Sequence, residues 1–441
     1  MPQAAPLPEI SLPTLKPRLN RGQWLVLIAA FLGWMFDGME MGLSPIAARS
    51  ALIDLLHLGS HGAALTPTAE ANVGQWHSYV VALFLVGAAC GGVLFGSLGD
   101  RIGRVRAMAL SILTYSIFTG CCYFAQAPWQ LGMLLFLAAL GMGGQWPLGV
   151  ALVVECWPDR LRPFLAGTMG AIGNVGYLVI ALLAMRFGVT PASWRWTMLI
   201  GAVPAVLALG VVALIPESQR WKESRKRQGH TRPIREVLTP PLLWPTLIGI
   251  ALASIALIGT WGTVSGFLPA WGRALTPQNP HAEGTVQCMT SIGAILGCLC
   301  LSLTGRRIGR RITYFGLCTV ALLVCGFLFG VGAWRVDFLR EHNGLFLATS
   351  LLAGCATGAF YGWFPLYLPE LFPTRVRATA QGMCYNSGRV FAAGGVLGKG
   401  QLMQFFRGSH PHACATITLV YVLGMILIWW APETRGKPLP D

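Results

Sequence analysis

Three charged side chains stand well inside long apolar stretches of this sequence, away from the ends, where a charge is costly unless it serves a function. Two of them are the carboxylates Asp37 and Glu40, in the stretch GWMFDGMEMGL. Their spacing places both on one face of a helix. Two carboxylates so close together can bind and release a proton, which is the chemistry that coupling to a proton gradient requires. The alternative is that one or both form a static hydrogen bond inside the fold.

The third is Arg389, in the stretch YNSGRVFAAGG. A buried guanidinium needs an anionic partner, and its planar set of donors matches a carboxylate through two parallel hydrogen bonds. Arg389 therefore suits the binding of an anionic solute. A fixed ion pair with Asp37 or Glu40 is the structural alternative.

The amino-acid composition indicates the class of protein in which these charges lie. Asp, Glu, Lys and Arg make up 11% of the 441 residues, hydrophobic residues make up 54%, and the mean hydropathy is +0.59. A soluble domain carries about 25% charged residues, so this chain lacks the surface of a soluble enzyme. It also has too much apolar surface to remain disordered. The class that remains is a membrane protein with many spans.

Twelve apolar segments are each long enough to cross the bilayer core of ~30 Å as a helix. A helix satisfies every backbone group within its own segment, and the two-residue alternation of a membrane barrel is absent. The predicted fold class is therefore all-α and integral to the membrane. The segments are 24–48, 74–98, 107–125, 130–154, 164–186, 196–215, 244–268, 285–304, 312–333, 344–368, 380–402 and 413–431.

The net charge of +15 follows from the predicted topology. With the N-terminus in the cytoplasm, 23 of the 32 Lys and Arg residues fall in cytoplasmic loops and seven fall on the opposite side; Arg389 and Lys399 lie within a predicted span. Because excess basic charge marks cytoplasmic loops, we expect a multi-pass protein of the inner (cytoplasmic) membrane with both termini inside. Nucleic-acid binding is not needed to explain the charge.

Three motifs recur in the same order at nearly one period, which predicts two six-helix halves of the same orientation. Asn174, 215 residues before Arg389, is then expected to face the same cavity. The recurring motifs are VECWPDRLRPFLAG at 154–167 with PELFPTRVRATAQG at 369–382, RIGR at 101–104 with RIGR at 307–310, and PES at 216–218 with PET at 432–434. The predicted division is a cytoplasmic tail (1–23), a first bundle (24–215), a cytoplasmic basic linker (216–243), a second bundle (244–431) and a cytoplasmic tail (432–441).

The stretch GSLGDRIGRVR at 96–106 resembles the loop signature between helices 2 and 3 of the major facilitator superfamily. The PES and PET motifs resemble helix ends in its sugar-porter branch, which the metabolite–proton and aromatic-acid–proton symporters share. Asp37 and Glu40 resemble the Asp-Gly-x-Asp of those symporters, with Glu40 in the second, coupling position. The resemblance implies two pseudo-symmetric six-helix bundles and secondary active transport. The chain departs from the pattern at Arg306, where the second copy would have Asp, and at Leu137, where helix 4 often has Arg.

By this resemblance, the residues around the loop signature form a cytoplasmic gate whose ion pairs break and reform during alternating access. Glycines there suit close helix approach and a tight turn, and Asp100 can accept hydrogen bonds from a nearby helix N-terminus. The alternative is that the arginines only mark topology. The predicted gate residues are Gly96, Asp100, Arg101, Gly103, Arg104, Glu155, Arg162, Glu217, Glu370 and Arg377.

Polar and aromatic side chains in the other spans are candidates for a cavity lining that suits a planar organic acid. For many aromatic residues an interfacial belt is the alternative. The predicted substrate-binding residues are Arg389, Asn174, Gln145, Trp146, Tyr361 and Tyr385.

The expected activity is proton-coupled uptake of a small organic anion, in which Glu40 carries the proton, Asp37 tunes it and Arg389 binds the anion. The alternatives are a sugar or other neutral-solute proton symporter, proton-driven efflux, and a non-transporting membrane sensor. No spacing suggests a nucleophile with its base, a nucleotide loop or a metal site, so we expect no enzyme activity, metal or cofactor beyond the proton gradient. The expected partners are the solute, protons and the bilayer, with no nucleic acid, and the protein is expected to be a monomer.

Overall fold

A computed structural model describes residues 20–58, 66–158, 161–228, 232–276, 278–279, 281–304, 308–398, 401–402, 405–407 and 409–440. Across these ranges the chain is mainly helical and has no β-strand, which confirms the predicted all-α class. Most of the predicted N-terminal tail lies outside the described residues, as do Arg306 and Lys399.

Six crossing elements make up the first half. The first five are α1 (Arg21–Leu55), α2 (Pro67–Ile102), α3 (Arg104–Cys121), α4 (Pro128–Cys156) and α5 (Arg162–Phe187). The sixth consists of two helices in series, α6 (Trp194–Ile200) and α7 (Ala205–Leu214). Two short helices follow within the predicted linker, α8 (Gln219–Gln228) and α9 (Pro233–Val237).

The second half repeats this arrangement. Its first crossing joins α10 (Leu243–Gly259), a π-helical turn (Thr260–Ser265) and α11 (Leu268–Leu275). The crossings that follow are α12 (Ala282–Thr304), α13 (Arg310–Trp334), α15 (Asn343–Leu371) and α16 (Arg377–Leu397), with the short helix α14 (Val336–Glu341) before α15. The last crossing consists of α17 (His410–Thr418) and α18 (Val420–Leu427).

Eleven of these crossings, within the described residues, are long and apolar enough to span a membrane. The twelfth, α16, overlaps the predicted segment 380–402, but Gln381, Asn386 and Arg389 lower its hydropathy. Several helices are longer than the apolar segments that predicted them, because capping residues outside the apolar run set their ends. For example, the Thr66 side chain accepts from the backbone N–H of Ala69 at the start of α2.

The two halves meet along α2 with α16 and along α5 with α12. On the first seam, glycines bring the backbones into contact: a Cβ added to Gly382 would lie 2.0 Å from the carbonyl oxygen of Gly92. A Cβ on Gly96 would lie 2.6 Å from the carbonyl oxygen of Ala378. The close approach of α2 and α16 therefore requires glycine at both positions, because any side chain there would overlap the facing backbone.

We expect Gly382→Ala to separate α2 from α16, because the new methyl group overlaps a backbone oxygen that cannot turn away. Overpacking of this kind costs about 1–3 kcal/mol, so the melting temperature of the purified protein should fall by several degrees. Gly394→Ala is the matched control on the same helix, since a Cβ there meets nothing within 4 Å. Equal melting temperatures for the two variants would show that the close approach is not required.

Candidate functional site

A buried cluster of charges closes one end of the seam between the halves; we call this end the gate face. Asp100, at the end of α2, lies 3.1 Å from Nη2 of Arg104, and the same Nη2 lies 3.0 Å from Oε1 of Glu155. Arg377, from the other half, donates to that same Glu155 oxygen over 3.2 Å. All four side chains have no exposed surface. Two positive and two negative groups therefore compensate one another in a site closed to bulk solvent.

Asp100 also caps a helix of the opposite half. Its carboxylate accepts hydrogen bonds from the backbone N–H groups of Ala378 (3.3 Å) and Thr379 (2.8 Å) and from the hydroxyl of Thr379 (2.6 Å). Ala378 and Thr379 occupy the first turn of α16, whose N–H groups have no partner within the helix. Val376, the N-cap residue by position, has no side-chain acceptor. Asp100 thus supplies from another bundle the cap that α16 lacks, at the end of the helix where a negative charge is favoured.

One further hydrogen bond joins the two halves at the same level, and two others hold the guanidinium groups from their own sides. Nη2 of Arg104 donates to the carbonyl of Thr374 over 2.6 Å, and Nη1 of the same residue donates to the carbonyl of Gly99 over 3.0 Å. Nη2 of Arg377 donates to the carbonyl of Pro440 over 2.7 Å. Each guanidinium is therefore held by both charged and neutral acceptors. In this structure the gate face is closed.

The motif repeat of the sequence reappears as a repeat of contacts. Arg104 pairs with Glu155 in the first half, and Arg310 pairs with Glu370 through two bonds of 2.8 and 2.9 Å in the second. The glutamates of the PES and PET motifs have equivalent positions as well. Glu217 accepts from the N–H of Val105 at the start of α3, and Glu433 accepts from the N–H groups at the start of α13, those of Arg310 (3.0 Å) and Arg311 (3.2 Å). Burial would raise the pKa of Glu433, but these backbone donors outweigh it and lower the pKa overall.

The remaining predicted gate residues have different surroundings. Gly103 has φ +110°, a conformation that favours glycine, and a Cβ there would lie 2.2 Å from Oε2 of Glu217. Arg162 is buried at the start of α5. Arg101 is exposed and forms no ion pair with the carboxylates of the described residues, so its part in the gate stays a prediction.

A cavity lies between the halves, beyond the gate cluster along α16. Its empty volume is about 600 Å³, part of which is open to solvent. Of the predicted substrate-binding residues, Asn174, Tyr361 and Tyr385 line it, whereas Gln145, Trp146 and Arg389 do not. The lining consists of Trp34, Gly38, Met41, Gly170, Gly173, Asn174, Tyr177, Thr260, Trp261, Val264, Ser265, Gln287, Thr290, Ser291, Ala294, Gly354, Thr357, Gly358, Tyr361 and Tyr385.

The ring of Trp146 lies behind the cavity wall and stacks on Tyr385, with centroids 4.1 Å apart and an interplanar angle of 17°. These two rings come from different halves. One residue further along α16, Asn386 donates to the carbonyl of Gly143 over 3.0 Å, again between the halves. Gln145 is buried behind the cavity: its Nε2 would lie 1.9 Å from a Cβ on Gly33. Neither predicted residue of helix α4 lines the cavity: Trp146 packs across the seam, and Gln145 packs inside the first half against α1.

Asp37 and Glu40 are both buried, but they have different neighbours. The carboxylate of Glu40 accepts from the hydroxyl of Thr119 on α3 and lies against Gly201. Neither oxygen of Asp37 has a hydrogen-bond partner. Asp37 lies on the cavity side of α1, since Trp34, Gly38 and Met41 line the cavity, and it is within electrostatic range of Arg389. The two carboxylates thus have separate environments, one inside the first bundle and one beside the cavity.

Arg389 is 1% exposed and has no carboxylate within ion-pair distance in the described part of the chain. Its Nη2 lies 3.7 Å from the sulfur of Met41, and its guanidinium lies 5.8 Å from the ring centre of Tyr385. Nε and Nη1 have no hydrogen-bond partner. Met41 and Tyr385 both line the cavity, so the thickness of one side chain separates this charge from the cavity.

Several cavity residues were not identified from the sequence. Gln287, Thr290 and Ser291 form a polar stripe on α12, and their i, i+3, i+4 spacing in an apolar span was a usable signal. Trp34 and Tyr177 gave no such signal, because aromatic residues are common in membrane helices. Within the described ranges, no group of three or more His, Cys, Asp or Glu side chains is arranged to hold a metal ion.

Comparison with known proteins agrees with this arrangement. Residues 26–396 match the family model of the Major Facilitator Superfamily. The chain is 27% identical over 434 residues to a putative metabolite transport protein of Haemophilus influenzae, which covers 96% of this chain and 99% of the relative. It is 28% identical over 393 residues to the cis,cis-muconate transport protein of Acinetobacter baylyi, which covers 86% of this chain and 87% of that protein.

Among solved structures, the chain is similar to the proton:xylose symporter XylE bound to 6-bromo-6-deoxy-D-glucose. The TM-score is 0.74 at 18% identity, over 95% of this chain and 98% of the other. This likeness shows the fold alone, and it confirms the prediction of twelve helices in two pseudo-symmetric bundles.

We expect Asp100→Ala to leave the first turn of α16 without its cap. Loss of a cap costs about 1–2 kcal/mol, so the amides of Ala378 and Thr379 should exchange hydrogen roughly 5–30-fold faster. Thr379→Val, which keeps both amide donors, should leave the amide of Ala378 protected. Arg101→Gln, a change in the neighbouring exposed side chain, is the matched control. Unchanged exchange in Asp100→Ala would contradict the capping role.

Proposed function

The chain belongs to the Major Facilitator Superfamily, and from this premise we propose that it is a secondary active transporter that takes up a small organic anion together with protons. Members of this family are membrane transporters that bind small-molecule solutes, and they are not enzymes. In the proposal the gate face lies in the cytoplasm, because most of the basic residues fall in loops on that side. The protein then works by alternating access between the two bundles.

The observation that supports an anionic substrate is Arg389 without an acidic partner. A buried guanidinium that lacks a counter-ion is costly, and a solute carboxylate would supply that counter-ion when it enters the cavity. The fixed pair with Asp37 or Glu40, the structural alternative, is absent from the closed-gate state. The name of one relative also supports an anionic substrate, since cis,cis-muconate is an organic anion.

The lining of the cavity supports a planar solute. Aromatic rings from both halves (Trp34 and Tyr177 from one, Trp261, Tyr361 and Tyr385 from the other) present apolar faces to the cavity. Seven Asn, Gln, Ser and Thr side chains also line the cavity and offer hydrogen bonds. Aromatic faces together with such polar groups suit a flat, conjugated carboxylate.

Asp37 and Glu40 form the proposed proton-coupling site. Both are buried at membrane depth on one helix, where an ionised carboxylate requires a partner that Asp37 does not have. We assign the transported proton to Glu40 and the tuning role to Asp37, which is within electrostatic range of both Glu40 and Arg389. Binding of an anion beside Arg389 then changes the field at Asp37, which links solute binding to protonation.

We expect Arg389→Ala to discriminate between charged and neutral solutes. Competition by cis,cis-muconate should weaken about 100-fold or more, because removal of one partner of a buried ion pair costs about 3–5 kcal/mol. Competition by its dimethyl ester, which carries no charge, should change little. Val390→Ala, at a half-exposed site on the same helix, is the control for helix integrity. Equal losses for acid and ester would argue against the anion site.

Proteoliposomes with an imposed pH gradient test the proton role. We expect Glu40→Gln to abolish gradient-driven uptake of cis,cis-muconate and to retain counterflow exchange, since the amide binds no proton but fills the same space. Asp54→Asn makes the same chemical change near the end of the same helix and should retain both activities. Loss of both activities in Glu40→Gln would indicate a structural role. Solute movement out of the vesicles in response to the gradient would support export in place of uptake.

A further inference from the structure

A basic helix lies against the gate and takes no part in the proposed transport site. Five of the ten residues of α8 are Lys or Arg, and one is acidic, Glu223. The side chains of Lys222, Arg225, Lys226 and Arg227 are exposed; we call them the α8 basic surface. Topology requires only that basic residues occur in this linker. The contacts between α8 and the gate cluster indicate a further role for this surface.

Trp221 anchors α8 on the gate. It is 9% exposed, and its indole Nε1 donates to the carbonyl of Asp100 over 3.0 Å. The guanidinium groups of Arg104 and Arg225 lie 6.0 and 5.3 Å from the centre of its ring. Arg225 also donates to the carbonyl of Arg101. The helix therefore holds the last turn of α2, which is the turn that presents Asp100 to α16.

α8 also reaches the second half of the protein. It packs against the 3-10 turn Thr374–Val376, which immediately precedes α16. Because it touches both halves at the gate face, α8 lies across the seam that must open during alternating access. Any ligand that fixes α8 in this position stabilises the closed gate.

The bilayer surface lies within reach of this helix. The preceding helix α7 exposes Val206, Leu209, Val212 and Leu214, as a lipid-facing helix does. α8 begins five residues after Leu214, a distance of at most about 18 Å along the chain. Clusters of basic residues directly beside a membrane helix attract anionic head groups, and free basic side chains next to an anionic bilayer are complementary to it.

We propose that the α8 basic surface binds anionic phospholipid head groups and thereby stabilises the closed gate. Head groups bound at Lys222 and Lys226 immobilise α8. Because Trp221 fixes α8 to the end of α2, that end of α2 is immobilised as well, and Asp100 remains hydrogen-bonded to α16 for longer. The inference concerns the gate alone and requires neither the proposed substrate nor proton coupling.

Hydrogen exchange of the full chain in nanodiscs tests it without solute or pH gradient. One set of nanodiscs contains phosphatidylcholine alone, and the other contains phosphatidylcholine and phosphatidylglycerol in equal parts. We expect phosphatidylglycerol to slow exchange both in α8 and in the first turn of α16. High potassium chloride should remove the effect, because salt screens exposed charges.

The variant Lys222→Gln/Lys226→Gln should weaken phosphatidylglycerol binding roughly 30-fold, about fivefold for each lysine, and abolish both protections. Arg435→Gln/Lys437→Gln is the matched control, with two exposed basic residues removed from the same face. Native mass spectrometry of the same samples counts the phosphatidylglycerol molecules that remain bound. Equal protection of the variant and the wild type would overturn the proposal. Protection of α8 without protection of α16 would overturn its link to the gate.

Discussion

The closed state depends on one hydrogen-bonded contact, in which a carboxylate of one bundle caps a helix of the other. The first-turn N–H groups of α16 need an acceptor, and Asp100 provides it from the end of α2. Arg104, Glu155 and Arg377 balance its charge in a site without exposed side-chain surface. Such a cluster is stable only when every member is present. A contact of this kind has two clear states, formed or separated, which is the property that alternating access requires.

The two halves of the chain differ at this contact. One difference concerns the capping carboxylate and the other concerns a backbone donor that it caps. In the first half Pro163 stands 215 residues before Ala378, at the second position of α5. Proline has no N–H group, so α5 needs no cap at that position. The sequence correspondingly has Arg306 where the second half would repeat Asp100. The cap and one of the two backbone donors that it serves are thus present in one copy of the repeat and replaced in the other; Phe164, the counterpart of Thr379, keeps its N–H but has no hydroxyl. The glutamate caps of α3 and α13 lie within the halves and are kept in both.

Much of this arrangement could be predicted from the sequence. Hydropathy located the helices, and the repeat made Arg104 equivalent to Arg310 and Glu155 equivalent to Glu370. The separation of Asp37 and Glu40 could not be predicted, because residues three apart on a helix differ by about 60° in direction. α1 is packed on several sides, so this angle directs one carboxylate toward α3 and the other toward the cavity. The positions of Gln145 and Trp146 behind the cavity wall could not be predicted either. They depend on the angle at which α4 crosses its neighbouring helices, and the periodicity of the sequence does not give that angle.

The central claim is that an anion and a proton move together through the cavity beside Arg389. The most direct measurement is the internal pH of proteoliposomes that contain a trapped pH-sensitive dye, after cis,cis-muconate is added outside with no imposed pH gradient. The account predicts acidification of the interior that requires the protein and that exceeds the change in protein-free vesicles. Entry of labelled cis,cis-muconate without a protein-dependent fall in internal pH would contradict it.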